Sequence, residues 1–451
     1  MKVAIVGAGI TGLTLAYELA KRGHAVEIFE AGPVPGGELA TVEVGGEPVE
    51  RFYHHLFTHD RFILELVTEL GIEQALHWHE PQMGFYAGGR TYPFTSPLDL
   101  LRFGHLSRPA RLRMGLATLV LQQIRDYRKF EDRTAAAVMR RLMGREAFVK
   151  VFRPLLRAKF SHHWERVSMA WMWARLQARA RTRSRDRRRE RLGYFKGGFR
   201  LVVDTLVEAD RRRGVGLRLR SPVDVISIGE PGAPALRVQG RPVEADAVVA
   251  TVGLPILRRL LPERRREFTE RLAATAYVGV VVTLMQIGQS LSPYYWTNIG
   301  DDGLPFAGLI EHTNLVGPER YGGRHLLYTS NYLPPEHEFF NIDDDELIDR
   351  FAGAIHQVFP RFRRDAVAQC WVSRDPVAQP VIEAGYQRRK PPYRSPIAGL
   401  YICNTSQIYP HDRGTNYNVQ IAREAAEVLH ADAPRLSAAS DSLAQEGPEL
   451  A

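Results

Sequence analysis

"VAIVGAGITGLTLAYELAKRGHAVEIFEAGPVPGG", residues 3–37, decides the fold. "KVAIV" (2–6) is short and rich in β-branched residues, as a buried parallel strand requires. Leu13, Ala16, Leu19 and Ala20 then recur at helical spacing, and "AVEIFE" (25–30) reads as a second strand. The two strands and helix make a βαβ unit of about 30 residues. Between first strand and helix stands Gly7-x-Gly9-x-x-Gly12. The first glycine permits a tight turn and the second lets the backbone approach a diphosphate. The third lets helix and strand pack closely, while the helix N-terminus offers unpaired N–H groups and a positive dipole. Glu30 closes the second strand, where a carboxylate binds the hydroxyls of an adenosine ribose. The reading is a dinucleotide site; an incidental glycine turn is the alternative.

The rest of the chain sets limits on function. Its 451 residues suffice for two domains or one large interleaved unit, and 45% hydrophobic content predicts that the bulk of it folds. Cys370 and Cys403 form no CxxC pair and no His/Cys cluster accompanies them, so neither a disulfide framework nor a metal site is expected. A cytoplasmic location fits. The N-terminal apolar run is broken by Gly7, Gly9 and Gly12 and followed by Glu18, Lys21 and Arg22, which argues against a secretory signal. The longest apolar stretch elsewhere, "GLATLVL" (115–121), falls short of the roughly 20 residues a membrane span needs. Net charge is +9, but "RLQARARTRSRDRRRER" (175–191) holds nine Arg against one Asp and one Glu. The basicity is therefore local, and a nucleic-acid partner is not expected.

Residues 61 to about 190 read as mostly helical, with a hairpin at "GFYAGGRTYPF" (84–94) turning on Gly88-Gly89. Strands are expected at "PVDVISI", "LRVQGRPVEADAVVAT" (236–251), "YVGVVVTLMQIG" (277–288), "PFAGLIEH", "HLLYTSNYL" and "GLYICNT" (399–405). "YNVQIAREAAEVLH" (417–430) is the last expected helix. The tail from Ala431, rich in Ala, Ser and Pro, reads as disordered.

"GPVPGG" (32–37) puts Gly36-Gly37 just after Glu30, where a second loop can run beside the diphosphate. This extended pattern resembles the flavoprotein superfamily of amine oxidases, protoporphyrinogen oxidases, phytoene desaturases and UDP-galactopyranose mutases. "GYFKGGFRLVVDTL" (193–206), "SPVDVISI" (221–228) and "GLYICNT…DRGTNYNVQIAREAAEVL" resemble three further segments of it, in the same order. The resemblance implies FAD as cofactor and an α/β fold in which a Rossmann-like FAD-binding domain of GR2 type is interleaved with a mixed-sheet and helical substrate domain. It divides the chain into 1–70, 192–272 and 392–430 for FAD, and 71–191 with 273–391 for substrate. The implied cofactor contacts are Gly7, Gly9, Ile10, Thr11, Gly12, Glu30, Ala31, Gly36 and Gly37 at the diphosphate and ribose. Val223 and Val225 are implied at the adenine, and Asn404, Gly414, Thr415 and Asn416 at the flavin. The chain departs from the family at Glu38, where members often carry Arg or Lys, and at Cys403-Asn404, where they commonly carry Gly-Asp. Independently of the family, Gly414-Thr415-Asn416 precedes the last helix, whose positive end can face the flavin N1/C2=O edge.

"ERFYHHLFTHD" (50–60) is the most unusual polar-aromatic cluster and looks like the His-containing stretch of galactopyranose mutases. His54 and His55 are the candidate catalytic residues, able to hydrogen-bond flavin N5 or move a proton near neutral pH; a surface or core role is the alternative. Trp164, Trp171 and Trp173 either line an apolar pocket or pack a helix. No lysine lies between Lys196 and Lys390, against a simple amine-oxidase analogy. Segments 102–121 and 175–191 combine basic and apolar character, which raises peripheral contact with an anionic membrane; a solvated helix face is the alternative. The leading expectation is an FAD-dependent oxidoreductase that takes a hydride from a fairly large, apolar or lipid-like organic substrate. A non-redox mutase acting on a nucleotide sugar, and a dinucleotide-binding module without turnover, remain as alternatives.

Overall fold

A computed structural model describes residues 1–181, 190–230, 232–233 and 235–445. Its organising element is a five-stranded parallel sheet in the order Gly216–Arg218, Ala25–Phe29, Lys2–Val6, Ala247–Ala250, Leu400–Ile402. The opening strand is thus central: Val6 pairs with Phe29 on one side and Ala250 on the other. Covered on both faces, these strands need unbroken apolar runs rather than alternation, which "KVAIV" and "AVVA" supply. The helix Ile10–Lys21 is buried from Ile10 to Leu19, because it lies between the sheet, the helix Arg200–Arg212 and the closing helix Thr415–Gln445.

A second sheet of seven strands has the order Val367–Pro380, Tyr277–Ile287, His325–Leu333, Gly308–Glu311, Trp296–Ile299, Met83–Ala87, Arg90–Pro93. Its pairings are antiparallel except Trp296–Ile299 with Met83–Ala87. The expected hairpin is its last pair of strands, turning at Gly88 and Gly89. All eleven residues of Tyr277–Ile287 are buried, so this strand is the sheet's spine. Val223–Ile226 belongs to a small antiparallel sheet with Leu236–Val238 and Arg241–Val243.

Residues 97–181 form a helical block with its own core, in which Phe103, Leu121, Met139, Phe148, Trp171 and Trp173 are buried. Trp173 donates Nε1–H to Ile124 O at 2.9 Å and Trp171 donates to Asp412 Oδ1 at 3.3 Å. Trp164 packs against the same core. All three tryptophans are packing residues, and none lines the cavity described below.

Two further expectations meet the structure at the chain's basic and C-terminal segments. The last helix does not stop at His430 but continues to Gln445, correcting the expected disordered tail. Alanine favours helix, and Asp432 ties the extension down by accepting from Arg394 Nε at 2.6 Å and Tyr401 Oη at 2.8 Å. Of the arginine segment 175–191, residues 182–189 lie outside the described residues, as do 446–451 of the tail. Among the described residues no helix is long and apolar enough to cross a membrane.

Candidate flavin and substrate site

The turn after the first strand has the geometry its glycines imply. Gly7 takes φ +106°, and its N–H donates to Phe29 O at 2.8 Å. A Cβ on Gly12 would sit 2.1 Å from Gly7 O, so helix and turn meet there with no room to spare. Gly9 is different: a Cβ built on it meets no atom within 4 Å, and it borders the cavity. The first helical bond runs from Leu13 N–H to Gly9 O, which leaves the N–H groups of Ile10, Thr11 and Gly12 without intrahelical partners. No side chain caps this helix end. The second glycine loop lies alongside, with Gly36 N–H donating to Ala8 O at 2.8 Å. Two backbone loops and an uncapped helix N-terminus thus frame open space, as an anionic diphosphate needs.

Glu30 holds the next loop in shape. Its carboxylate accepts from Ala8 N at 2.8 Å and from Gly32 N at 2.7 Å, one bond per oxygen. Each oxygen keeps a lone pair for a ribose hydroxyl. Arg220 and Ser221 donate backbone N–H to Gly32 O and Glu30 O, bringing the strand that carries Val223 and Val225 beside this loop. Those two valines, with Gly7, Gly12, Glu30, Ala31 and Gly37, lie outside the cavity lining.

The cavity, about 350 Å³, runs from Gly9, Ile10, Thr11 and Gly36 to Asn404, Gly414, Thr415 and Asn416, and it reaches His54 and His55. At its far end Gly414 again has open space where a Cβ would be. The first helical bonds there are made by Tyr417 and Asn418 to Gly414 O, so Thr415 and Asn416 N–H precede the bonded helix. Two side chains read as flavin contacts are otherwise engaged. Asn404 Oδ1 accepts from Ser406 N and Oγ, while its Nδ2 donates to Val252 O at 2.8 Å. Asn416 Oδ1 accepts from Phe62 and Ile63 N–H at the start of helix Arg61–Glu69. Both asparagines shape the backbone around the site: three of the four bonding positions of the Asn404 side chain and both acceptor positions of Asn416 Oδ1 are spent within the protein.

The histidine segment hangs between two buried carboxylates. Glu50 accepts from Tyr194 Oη at 2.6 Å and Phe199 N at 2.5 Å, and Asp60 accepts from Phe57 N at 2.8 Å. His54 Nδ1–H donates to Phe52 O at 2.6 Å, leaving Nε2 as an acceptor; His55 Nδ1 is 3.0 Å from Tyr295 Oη. Burial pushes His54 down to about 4 and His55 to about 3, with nearby positive charge adding to it. Both imidazoles are neutral at pH 7. They can hydrogen-bond, but the expected titration near neutrality is corrected: desolvation opposes the imidazolium. Asp60 is pushed up to about 7 by the same cause.

A polar wall that the sequence did not disclose faces them. Lys159 and Arg175 pair with Asp412 at 3.1 and 3.2 Å, and Arg413 pairs with Glu38 while donating Nε–H to Gln379 Oε1 at 2.7 Å. Lys159 Nζ lies 4.9 Å from the centre of the Tyr332 ring, and Arg413 Nη2 lies 3.5 Å from Tyr332 Oη. Burial alone would raise the Tyr332 phenol, but Lys159, Arg413 and a hydrogen bond with Tyr53 outweigh it and hold it below its ordinary value. Tyr53 is displaced upward, by burial first and Tyr332 second.

The flavin-containing amine oxidoreductase family model matches residues 10–415, nearly the whole of this architecture. The chain belongs to that family. It is an FAD-dependent oxidoreductase. Among curated relatives, 15-cis-phytoene desaturase of Solanum lycopersicum is 23% identical over 445 residues, covering 91% of this chain and 74% of the relative. Of solved structures, a putative protoporphyrinogen oxidase from Exiguobacterium sp. 255-15 superposes with a TM-score of 0.76 at 19% identity, covering 96% of this chain and 99% of the other. Reduced UDP-galactopyranose mutase gives 0.73 at 17% identity, covering 95% of each chain. At such identities these structures share a fold with the flavoenzyme. Its residues fit FAD: the open space at Gly9 and Gly414, and the unpaired N–H groups of two helix ends, suit a diphosphate at one end and an electron-rich ring edge at the other.

The departure at Glu38 also finds its explanation. Where the resemblance leads to the expectation of a cation after the glycine pair, this flavoenzyme has a carboxylate that binds Arg413 from the closing loop. Arg413 and Lys159 are functional candidates that local motifs missed. The available signal was "HDRGTN" (411–416), two opposite charges directly before a helix N-terminus.

Proposed function

We propose that this flavoenzyme dehydrogenates an extended, largely apolar organic substrate, removing a hydride from one carbon and a proton from its neighbour. The observation that carries the reading is one continuous cavity whose lining joins the glycine turn and the helix end at Gly414–Asn416 to Met83, Val280, Val282, Trp296 and Tyr332. FAD, when bound, supplies the two-electron acceptor. The protein supplies position, water exclusion and a proton acceptor. Apolar strand residues hold the chain of the substrate, and the N–H groups of the helix end at Gly414–Asn416 would hold the electron-rich edge of the flavin. Tyr332, in the cavity wall, receives the proton as its phenolate, the form that Lys159 and Arg413 favour. His54 and His55, held neutral, orient groups by hydrogen bonds. The desaturases matched at 22–24% identity over most of the chain support an apolar, unsaturated substrate class. In this reading 1–70, 192–272 and 392–430 form the FAD-binding unit, and 71–191 with 273–391 the substrate unit.

Anaerobic mixing of the FAD-loaded enzyme with candidate substrates tests this. Bleaching of oxidised flavin by phytoene or a similar isoprenoid hydrocarbon is expected, with the rate about 10²-fold lower in Tyr332→Phe and its pH profile altered. Bleaching by primary amines alone refutes it. Turnover of a nucleotide sugar only after prereduction would establish the mutase reading instead.

A further inference from the structure

Among the described residues seven large hydrophobic side chains are exposed, and six of them sit on two adjacent helices, Pro97–Arg102 and Arg108–Gln123. Leu112, Leu116, Leu119 and Val120, 57–65% exposed, follow helical spacing along one outward face. Leu98 and Leu101, 50% and 53% exposed, extend that face. The inner face of the same helix, with Met114 and Leu121, is already packed into the helical core. A helix apolar on both faces, with one face left in solvent, is the mark of an unfilled contact.

Charge identifies what fills it. Residues 97–125 carry five arginines and a single acid, Asp99, with no lysine or glutamate. Asp99 is consumed by the N-cap of its own helix, accepting from Thr95 and Ser96 N–H. Arg102, Arg108 and Arg113 are exposed around the leucines. A second copy of the chain docked on this face would oppose arginines to arginines, whereas an anionic lipid surface satisfies both the apolar centre and the basic rim. We propose that this face is a docking surface for an anionic phospholipid bilayer.

Its place in the fold gives the contact a use. The helix Met169–Arg181 is bonded to the far end of the exposed helix, Trp173 donating to Ile124 O and Gln177 to Leu121, Gln122 and Ile124 O. Ala174, Arg175 and Ala178 of that same helix line the cavity. A bilayer on the leucine face therefore lies one helix away from the site, at the position where a lipid-dissolved substrate leaves the membrane. The docking claim does not depend on the proposed reaction, since it is measured without substrate.

Flotation of the FAD-loaded full chain with vesicles tests it. Binding is expected to mixed phosphatidylcholine–phosphatidylglycerol vesicles at low salt, weakened about tenfold or more by high salt or by pure phosphatidylcholine. The triple variant Leu112→Gln, Leu116→Gln, Leu119→Gln should lose at least about tenfold in binding while keeping its flavin spectrum and melting temperature. No flotation of the parent protein at low salt overturns the proposal, and so does equal flotation of the triple variant. A dimer that the triple variant dissolves, with no vesicle binding, overturns it in favour of a self-association face.

Discussion

Replacing Gly9 by alanine separates the cofactor's demand for space from the fold's. Gly9 has φ −71° and ψ 175°, a conformation alanine adopts without strain, and its new methyl group would meet no protein atom within 4 Å. The apoprotein should therefore gain about 0.4–1 kcal/mol, because alanine restricts the unfolded chain. In a chain this long that is a rise of roughly 1 °C in Tm. On the proposed path of the diphosphate over this turn, the same methyl would stand in its way. Pushing the diphosphate off two backbone N–H groups, at about 1.5 kcal/mol each, costs about 3 kcal/mol. FAD affinity should fall roughly a hundredfold. Gly12→Ala reverses the pattern: its Cβ would lie 2.1 Å from Gly7 O, far inside the roughly 3.5 Å of ordinary contact. Helix and turn must separate, at a cost of about 1–3 kcal/mol to the apoprotein itself. Differential scanning calorimetry of both apoproteins and titration with FAD read the two effects independently. Wild-type FAD affinity in Gly9→Ala would refute the placement of the diphosphate over this turn, and wild-type apoprotein stability in Gly12→Ala would refute the close contact of helix and turn.

Two other perturbations probe buried charge. Glu38→Gln strands Arg413, whose side chain is only 13% exposed, without its closest carboxylate; denaturant unfolding should show a loss of about 1–3 kcal/mol, and the exchange Glu38→Arg with Arg413→Glu should recover part of it. A coupling energy indistinguishable from zero in that cycle contradicts the pairing. Asp210 is buried with neither carboxylate oxygen bonded, and burial, against a smaller lowering by Arg213, pushes it up to about 8. The folded state keeps that proton where the unfolded chain has already released it, so stability falls as pH rises from about 4 to 8 and is level above. Asp210→Asn removes the penalty, and its advantage over the parent in Tm should widen across that window; an advantage constant with pH would show that Asp210 does not titrate there.

What the sequence disclosed, and what it withheld, follows from how far each interaction reaches along the chain. Gly7, Gly9 and Gly12 are legible because turn, helix N-terminus and packing contact all lie within six residues, and the neighbouring strand is only about 20 residues on. In the second sheet Tyr277–Ile287 and His325–Leu333 are legible because they are long and strongly apolar. The short Trp296–Ile299 and the polar, half-exposed Val367–Pro380 carry no such signal and are not among the expected strands. For Trp171 and Trp173 the sequence leaves pocket and packing both open, and helix geometry decides for packing, since positions two apart point roughly 200° from one another. A pocket would claim one of them; here both are buried, since that helix is enclosed on opposite sides by Asp412 and Ile124. Asn404 and Asn416 border the cavity as the motif implies, but the groups that hold their side chains, at Val252 and Phe62, are far away in sequence and no local motif names them.

The substitution at Glu38 shows the same limit from the other side. Read locally, a carboxylate after Gly36-Gly37 removes a cation from the cofactor's surroundings. In three dimensions it imports one, because Arg413 crosses 375 positions of sequence to meet it and is fixed there by Gln379. The guanidinium then stands beside Tyr332 and one residue before the helix end that faces the cavity. Exchanging the residue types at the two positions keeps the pair but moves the positive charge from the closing loop to the glycine loop. If Arg413 is what lowers the Tyr332 phenol, the exchanged protein should recover part of the stability and retain FAD while its alkaline pH profile shifts upward. A profile unchanged by the exchange would assign the lowering to Lys159 and the hydrogen bond with Tyr53.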